Sequence, residues 1–532
     1  MKYNNHFNTR VTPQVQAIPG SGQVANLGGG FSWKVTDAQQ LERFLILGTE
    51  GGTYYVTEQK LTVENATSVV NCLAADARTT IDKIVEVSVT GKAAKNDPAI
   101  FALAIAAGSA DPACRAYALS KLSQVCRTAT HLFTFVEFVE GFRGWGKGLR
   151  KAVAKWYTEK DPGKLAYQIV KYQQRNGWSH RDLLRLAHAS PPSELHQAVM
   201  RYAVKGTERT VDYPADQVPS ELRLIWAFEQ AKKSRDVKEV VDLIDQYGLT
   251  HEMVPNDLKK SPEIWSALLV NMPITATIRN LGRMSSIGLL KPFSAASKLV
   301  EARLLNPEVL RNGRVHPLQI LSAKMTYQQG HGVKGNLTWT TDARLTQALE
   351  DSFYLSFETV EPSGKNFLLG IDVSGSMTWV QAGGLPGFTP NMTSAVMAMA
   401  TARVEQNYHI MGFAHTFRDL GITARDTLES AMSKTYSNSF GHTDCSLPMV
   451  WALANNLLVD TFVVYTDSET NSRTAIHPAQ ALDQYRQKMG RNAKLIVCAM
   501  TSSSHTIARS GDPNMLDVVG FSTDTPKLIS MF

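Results

Sequence analysis

The chain has 532 residues and a formal net charge of +7, with 43% hydrophobic and 19% charged residues. This is the composition of a globular protein of roughly two to four domains, which excludes collagen-like and wholly disordered chains. No run of 18 consecutive apolar residues occurs and the first residues are polar, so we predict no transmembrane helix, no secretory signal and a cytoplasmic location.

The first two thirds of the sequence indicate a short arm followed by many short helices. Residues 1–30 are rich in Asn, Gln, Gly and Pro and lack apolar periodicity, so we predict a flexible arm there. Over residues 31–360, apolar residues recur at spacings of three and four in short segments divided by Gly, Pro and Asn. Such helices bury their apolar faces by stacking in pairs. The pattern therefore predicts an all-α domain of HEAT-like repeats, with a multi-helix bundle as the alternative.

The breaks between apolar segments define the individual helices. We predict helices at Asn65–Cys72, Ala99–Ala107, Ala116–Cys126, Leu165–Gln174, Leu222–Lys232, Val237–Tyr247, Glu263–Val270, Thr275–Met284, Ser294–Leu305 and Pro317–Tyr327. Ile84–Val89 and Phe133–Val139 fit either a strand or a helix. The glycine-rich stretch 328–366 is predicted to connect the helical domain to the rest of the chain.

A strongly basic segment lies inside the predicted helical domain, where residues 141–185 hold 11 Lys and Arg against 3 Asp and Glu. Cations recur every four residues and so form one stripe on a helix: Arg143, Lys147, Lys151 and Lys155. The following segment adds Lys171 and Arg175, again four apart, and then Arg185 and His188. Basic side chains neutralise phosphates and the interleaved aromatics can stack on bases, so the segment predicts a polyanionic partner such as RNA. The alternative is a solvated helix face with Trp145 and Trp156 in the core.

The octapeptide GFRGWGKG at Gly141–Gly148 nearly matches a phosphate-binding P-loop. Gly148 stands where that loop needs a hydroxyl to bind Mg²⁺, and no clear strand precedes the motif. We therefore expect no nucleoside triphosphate to bind here.

After residue 360 the pattern changes to short apolar runs that alternate with helices. The strands are predicted at Asn366–Val373, Asn407–Phe413, Thr461–Thr466 and Lys494–Met500, and the helices at Met392–Val404, Leu447–Leu458 and Ala475–Met489. Buried β-branched strands separated by helices indicate an α/β domain with a largely parallel, doubly wound sheet over residues 361–532. Sites in such sheets lie at the carboxyl ends of the strands.

Oxygen-bearing side chains are predicted to meet at that edge of the sheet: Asp372, Ser374, Ser376, Thr443 and Asp467. Two carboxylates and three hydroxyls are hard ligands, which suits Mg²⁺. The alternative is that Asp372 and Ser374 only form turn and N-cap contacts. We expect the neighbouring Asp444 to cap its loop rather than to bind metal. The five cysteines form no CxxC pair, so no structural zinc is expected.

Eight stretches of the sequence carry a family resemblance: FSWKV, LERFLILGTEGGTYY, RGWGKGLRKAVAKWY, KYQQRNGWSHRDLLRLAH, MPITATIRNLGRM, HPLQILSAKMTYQQG, DVSGSM and GHTDCSLPM. Together they resemble the 60 kDa Ro ribonucleoproteins, the TROVE-domain family, in its bacterial form, over about residues 30–500. The C-terminal part alone resembles a von Willebrand factor A (VWA) domain, and the five oxygen ligands match its metal-ion-dependent adhesion site (MIDAS) one by one.

The resemblance implies a monomeric ring of HEAT-like repeats closed by a VWA domain, in a protein that binds RNA and is not an enzyme. Family members bind small noncoding Y RNA on the outer surface of the ring. Single-stranded 3′ ends of misfolded or precursor noncoding RNAs, including rRNA, enter a central hole. Bacterial relatives act with 3′-to-5′ exoribonucleases in RNA quality control, maturation and decay.

Residue by residue, the resemblance assigns RNA contact to Lys171, Arg175 and His188, which lie in the segment that the family uses for it. The preceding matched stretch holds Arg143, Lys147, Arg150 and Lys151, whose individual roles the resemblance does not fix.

Two other functions fit parts of the sequence. A Mg²⁺-dependent adhesion or scaffold module would bind a protein whose acidic group completes the metal site. A Mg²⁺-dependent phosphotransferase or nuclease would use Asp372, but no Lys or Arg stands near it in the sequence to hold a phosphate. The Gly- and Pro-rich loop 378–391 lies beside the site and is long enough to cover it.

Overall fold

The computed structural model describes residues 11–48, 61, 66–206, 214–332, 335–357, 360–379, 382, 387–436 and 441–532. These residues form two compact units. One, the helical unit, contains Leu73–Gly91 and Ala99–Ser356. The other, the sheet unit, contains Lys92–Pro98 and the described parts of Met1–Cys72 and Phe357–Phe532. Within the described ranges, no helix is both long enough and apolar enough to cross a membrane.

The described chain begins with two short strands and a helix: β1 (Val24–Ala25), β2 (Phe31–Lys34) and α1 (Asp37–Leu47). Short helices then follow one another, interrupted by one two-stranded hairpin. They are α2 (Thr67–Ala75), α3 (Ala77–Thr90), α4 (Asp97–Gly108), α5 (Pro112–Ser120), α6 (Leu122–Val125), α7 (Ala129–Phe142), α8 (Lys147–Thr158), α9 (Pro162–Lys171), β3 (Gln174–Arg175), β4 (Trp178–Ser179), α10 (His180–Ala187), α11 (Glu194–Lys205), α12 (Arg223–Lys233), α13 (Val237–Tyr247), α14 (Pro262–Asn271), α15 (Ile274–Arg279), α16 (Leu281–Ser286), α17 (Ala295–Leu304), α18 (Pro307–Asn312), α19 (Pro317–Gln328) and α20 (Ala343–Leu355).

Capping residues explain where these helices begin and end. Asp161 and Ser261 accept hydrogen bonds from the first turns of α9 and α14, and a proline follows each of them. Gly248 ends α13 with a φ of 68°, in the left-handed region where a side chain is disfavoured. The Gly, Pro and Asn breaks of the sequence are therefore helix boundaries.

The all-α prediction for this part of the chain is confirmed, and helices close in sequence pack together, as α12 does with α13 and α13 with α14. Ile84–Val89 and Phe133–Val139 are helical, inside α3 and α7. Thr275–Met284 is divided between α15 and α16 at Asn280, whose side chain donates a hydrogen bond of 2.9 Å to the carbonyl of Ala276. Stretch 328–366 is more than a connection, since it contains α20, whose Leu349 and Phe353 are fully buried.

The C-terminal part is an α/β domain. Its elements are β5 (Asn366–Asp372), α21 (Ser376–Trp379), α22 (Pro390–Ala402), β6 (Asn407–Phe413), β7 (Phe417–Asp419), α23 (Leu428–Lys434), α24 (Leu447–Ala454), β8 (Thr461–Thr466), α25 (Pro478–Met489), β9 (Lys494–Ala499), β10 (His505–Thr506), β11 (Met515–Val519) and α26 (Thr525–Met531).

Six of these strands form one sheet in the order β11-β9-β8-β5-β6-β7. The pairs are parallel except for β7, which lies antiparallel at the edge. From the central strand β5 the chain continues to β6 on one side and later to β8 on the other. The predicted doubly wound parallel sheet is thus confirmed, and its switch point lies between β5 and β8, where such sheets bind ligands.

The N-terminal residues 11–48 belong to the sheet unit. Strand β2 pairs with β1 and with β10, Pro13 forms a bridge with Ile476, and Gln14 is fully buried. The prediction of a flexible arm over residues 1–30 is therefore wrong for residues 11–30, and the helical domain does not begin at residue 31. The Asn and Gln side chains that suggested a loop satisfy buried polar groups of this unit instead. Residues 1–10 lie outside the described residues.

Candidate functional site

Helix α8 has one buried, apolar face and one exposed, basic face. Val153, Trp156 and Tyr157 are fully buried, and the indole of Trp156 donates a hydrogen bond of 2.6 Å to the carbonyl of Cys126. These two aromatics belong to the core, so they do not stack on RNA bases. The opposite face carries four exposed cations: Lys147, Arg150, Lys151 and Lys155.

The α8 segment is not a P-loop. Helix α7, rather than a strand, leads into the octapeptide and ends at its second residue, Phe142, and Gly148 lies inside α8. A P-loop needs a strand that ends in a loop of free backbone N–H groups, and here those groups begin a helix. The expectation that no nucleoside triphosphate binds here agrees with this geometry.

The hairpin of β3 and β4 presents Arg175. Asn176 and Gly177 form its two-residue turn with φ values of 52° and 78°, the left-handed pair that tight hairpins require. Arg175 is exposed and lies opposite Trp178, whose ring centroid is 5.9 Å from that of Trp145. The tryptophan pair joins the hairpin to the loop that precedes α8.

Helix α10 carries the next predicted RNA contacts. Ser179 and Asp182 form a capping box at its start, and His188 ends it with a φ of 50°. Arg185 and His188 are exposed. His180 is buried and lies 2.8 Å from the hydroxyl of Tyr157, and burial lowers its pKa to about 4, so it is a neutral tie between α10 and α8. No local pattern of residues predicts this role.

Lys171 differs from the other predicted RNA contacts. Its side chain is only 8% exposed, and its amine donates to the hydroxyl of Tyr167 at 2.8 Å and lies 3.9 Å from the carboxylate of Glu252. Burial alone would lower the pKa of Lys171, but the Tyr167 hydroxyl and the nearby tyrosines and Glu252 together raise it. Helix spacing could not reveal this enclosure, because Glu252 is distant in the sequence.

We define the cationic face as the exposed residues Arg143, Lys147, Arg150, Lys151, Lys155, Arg175, Arg185 and His188. Within the described ranges, no carboxylate lies within 4.0 Å of any of these side chains. The uncompensated charges of its Lys and Arg side chains attract polyanions and hold their phosphates.

The second candidate site lies at the switch point of the sheet. Asp372 is the last residue of β5 and Asp467 follows β8, and both carboxylates are buried. One Asp372 oxygen accepts a hydrogen bond of 2.7 Å from the Thr466 hydroxyl, and the other accepts one of 3.0 Å from the backbone N–H of Ser374. The Ser374 hydroxyl lies 3.0 Å from that of Ser376.

The electrostatics of this site favour a cation. Burial and the repulsion from Asp467 raise the pKa of Asp372 to about 7, and burial also raises the pKa of Asp467. The Asp467 Oδ2 atom is buried and has no hydrogen-bond partner among the described residues. Two buried carboxylates with a free oxygen and neighbouring hydroxyls fit a hard divalent cation such as Mg²⁺.

The remaining predicted ligand, Thr443, is buried in the loop before α24, and its backbone N–H donates 2.7 Å to the side chain of Asn471, in the loop that carries Asp467. Asp444 accepts hydrogen bonds from the backbone and hydroxyl of Ser446 at 2.9 and 2.6 Å, so it caps the loop as expected. No three His, Cys, Asp or Glu side chains of the described part meet in metal-binding geometry, so a metal here depends on the hydroxyls.

The loop over residues 378–391 lies partly outside the described residues. Trp379 near its start is 66% exposed, and Phe388 near its end is buried. That this loop covers the metal site stays a prediction.

Comparison with known proteins places both parts of the chain in one family. The TROVE domain model matches residues 24–326, and the Ro60 vWA domain model matches residues 366–532. The chain is 42% identical to the RNA-binding protein RO60 of Deinococcus radiodurans over 522 residues, which cover 98% of this chain and 97% of that protein. It is 33% identical to the RNA-binding protein RO60 of Caenorhabditis elegans over 595 aligned residues, covering 98% and 92% of the two chains.

A solved structure gives the same assignment. The crystal structure of the Deinococcus radiodurans RO (RSR) protein superposes with a TM-score of 0.70 at 42% identity, covering 93% of this chain and 99% of that chain.

Proposed function

The chain belongs to the Ro60 family of TROVE-domain proteins, and from this premise we propose that it is a non-enzymatic RNA-binding ribonucleoprotein component. The observation that carries the proposal is the cationic face, whose exposed basic side chains form no ion pair with a carboxylate among the described residues. The names of the two relatives, both RNA-binding proteins, support it.

RNA binding here rests on phosphate contacts and shape. Each Lys or Arg of the cationic face that neutralises a phosphate releases a counterion, so the affinity falls as salt rises. By analogy with the family, Y RNA binds an outer surface, and unpaired 3′ ends of misfolded or precursor noncoding RNAs, rRNA included, enter a central hole of a monomeric ring. A hole that admits only a single strand selects RNAs with accessible tails. Partnership with a 3′-to-5′ exoribonuclease would link that selection to RNA quality control, maturation or decay.

A Mg²⁺ ion in the sheet unit is part of the proposal. Asp372, Ser374, Ser376, Thr443 and Asp467 would hold it, directly or through water. The bound ion would neutralise the two buried carboxylates and offer a coordination position to an acidic group of a partner. Asp372 orients the Thr466 hydroxyl and the Ser374 backbone around the site.

A gel-shift titration at fixed salt tests RNA binding. The probes are a 5′-labelled duplex with a single-stranded 3′ tail of about ten nucleotides and the same duplex with blunt ends. We expect the tailed RNA to bind about tenfold tighter than the blunt RNA, without shortening of the label. Replacing Lys151 and Lys155 by alanine should weaken binding, whereas Lys298→Ala, an exposed cation on α17, should not.

The metal geometry also favours a second candidate, a Mg²⁺-dependent protein-binding module. Absence of binding to either RNA would put that module first. The phosphotransferase or nuclease alternative has less support, because no Lys or Arg of the described residues forms an ion pair with Asp372 or Asp467. Shortening of the label by purified protein, lost in Asp372→Ala, would restore it.

A further inference from the structure

Gln14, near the start of the described chain, joins the two loops that carry the proposed metal ligands. Its side chain is fully buried, and its amide nitrogen donates 2.6 Å to the carboxylate of Asp444 and 2.9 Å to the carbonyl of Ile476. Its amide oxygen accepts hydrogen bonds from the Thr470 hydroxyl at 2.5 Å and from the backbone N–H of Ser472 at 3.0 Å. All four hydrogen-bonding positions of one glutamine are thus used.

The nearest of these contacts are one residue away from a ligand on one side and three on the other. Asp444 follows Thr443, and Thr470 follows Asp467 at a distance of three residues. The Thr470 hydroxyl also accepts a hydrogen bond of 3.2 Å from the backbone N–H of Cys445. Gln14 therefore ties the Thr443 loop to the Asp467 loop, beside the direct hydrogen bonds between Thr443 and Asn471, and its side chain forms no hydrogen bond with a proposed ligand.

A second N-terminal contact holds the same Asp467 loop. Asn26 forms a turn with Gly30, and its side chain donates 2.8 Å to the carbonyl of Thr470. The Asn471 side chain donates 2.7 Å to the carbonyl of Gly28. A Cβ atom at Gly30 would lie 1.9 Å from the carbonyl oxygen of Thr470, so this close approach requires glycine. The N-terminal segment is shaped to fit the loop.

We infer that Gln14 and the Asn26–Gly30 turn position the metal site, so that docking of residues 12–30 and binding of a divalent cation strengthen each other. This inference rests on the proposed metal site. Because the loops are already held at the spacing that the cation needs, its binding does not have to order them, and no conformational entropy is lost at that step. Because coupling between two binding events is reciprocal, the cation must stabilise the docked segment by the same factor.

The sequence offers a matched control in Gln40. It is another buried N-terminal glutamine that donates to a distant part of the same unit, the carbonyl of Ser502 at 3.1 Å, and among the described residues its side chain forms no hydrogen bond with either metal loop. Gln14→Ala removes four buried long-range hydrogen bonds and Gln40→Ala removes one. Only the first should change the metal site.

Isothermal titration of the full chain with Mg²⁺ measures the effect directly. We expect Gln14→Ala to weaken Mg²⁺ binding about tenfold, and Gln40→Ala to leave the dissociation constant within about twofold of wild type. Thermal melts without metal verify that each variant is folded at the titration temperature. Equal Mg²⁺ affinity in the two variants would overturn the inference.

Hydrogen exchange gives a second readout that does not require a variant of Gln14. Saturating Mg²⁺ should slow amide exchange across residues 12–30 in wild type and leave it unchanged in Asp467→Ala. Unchanged exchange in a wild type that binds Mg²⁺ would overturn the inference and leave the metal site standing. A wild type that binds no Mg²⁺ would remove the metal site and the inference together.

Discussion

The different environments of Arg175 and Lys171 lead to opposite expectations for their alanine variants. Arg175 is exposed at the hairpin, whereas Lys171 is enclosed by Tyr167 and Glu252 with 8% of its side chain exposed. A direct contact to one phosphate of a single strand contributes about 0.7 to the slope of log affinity against log salt. Arg175→Ala should reduce that slope by about 0.7, while Lys171→Ala should lower affinity, through loss of local order, and leave the slope unchanged.

Fluorescence anisotropy with the tailed RNA at several salt concentrations measures both quantities. Between 50 and 200 mM salt, one phosphate contact changes the affinity by roughly 2.5-fold, which separates the two variants. Lys298→Ala, an exposed cation outside the cationic face, is the control and should match wild type in slope and affinity. A slope reduction for Lys171→Ala equal to that for Arg175→Ala would refute the reasoning. It would mean that the Glu252 pair opens when RNA binds.

Three further predictions concern stability. Arg43→Met leaves the carboxylate of Asp517 buried and unpaired, and should cost about 3–5 kcal/mol in urea unfolding, with partial recovery when Asp517→Asn is added. The pKa of His180 is lowered to about 4, below the 6.5 of a free imidazole, so the unfolded chain takes up the proton first. Stability is therefore complete above pH 6.5 and falls by about 3 kcal/mol as the pH drops to 4, and His180→Gln should flatten this dependence. Asp467→Asn removes the repulsion with Asp372, so it should raise the melting temperature in EDTA and abolish the increase that Mg²⁺ gives wild type. A variant that still gained from Mg²⁺ would contradict the ligand assignment.

The central strands could be predicted because burial on both faces leaves a local signature. Thr461–Thr466 coincides with β8, whose six residues are all buried, since a parallel strand covered on both sides is a continuous apolar run. Asn407–Phe413 coincides with β6, although only its last four residues are buried. Strand β11 was not predicted, because its Asp517 interrupts that run. Asp517 lies in a buried strand only because Arg43 pairs with it, and Arg43 is far away in the sequence.

In the candidate sites, too, local sequence patterns predict some residues, whereas other residues depend on partners that are distant in the sequence. The cations of α8 could be predicted because helical spacing alone sets which residues share a face, and all of them are exposed. The prediction of one helical stripe is wrong for Arg143, which ends α7 and lies outside α8. Asp372, Ser374 and Ser376 lie together because they are neighbours in one loop. The enclosure of Lys171 could not be predicted, since it depends on Glu252 from another part of the helical unit.

Buried polar side chains in the N-terminal segment indicate that the VWA domain folds together with that segment. A polar group can leave water only if it finds a partner, so Gln14, Asn26 and Arg43 would not be buried unless the C-terminal loops supplied one. The dependence also holds in the opposite direction. A fragment that begins at residue 361 lacks β2, the partner of β10. It also lacks Arg43, so the carboxylate of Asp517 has no ion-pair partner. The folding unit is therefore made from both ends of the chain, and a boundary drawn where the sequence pattern changes would cut through it.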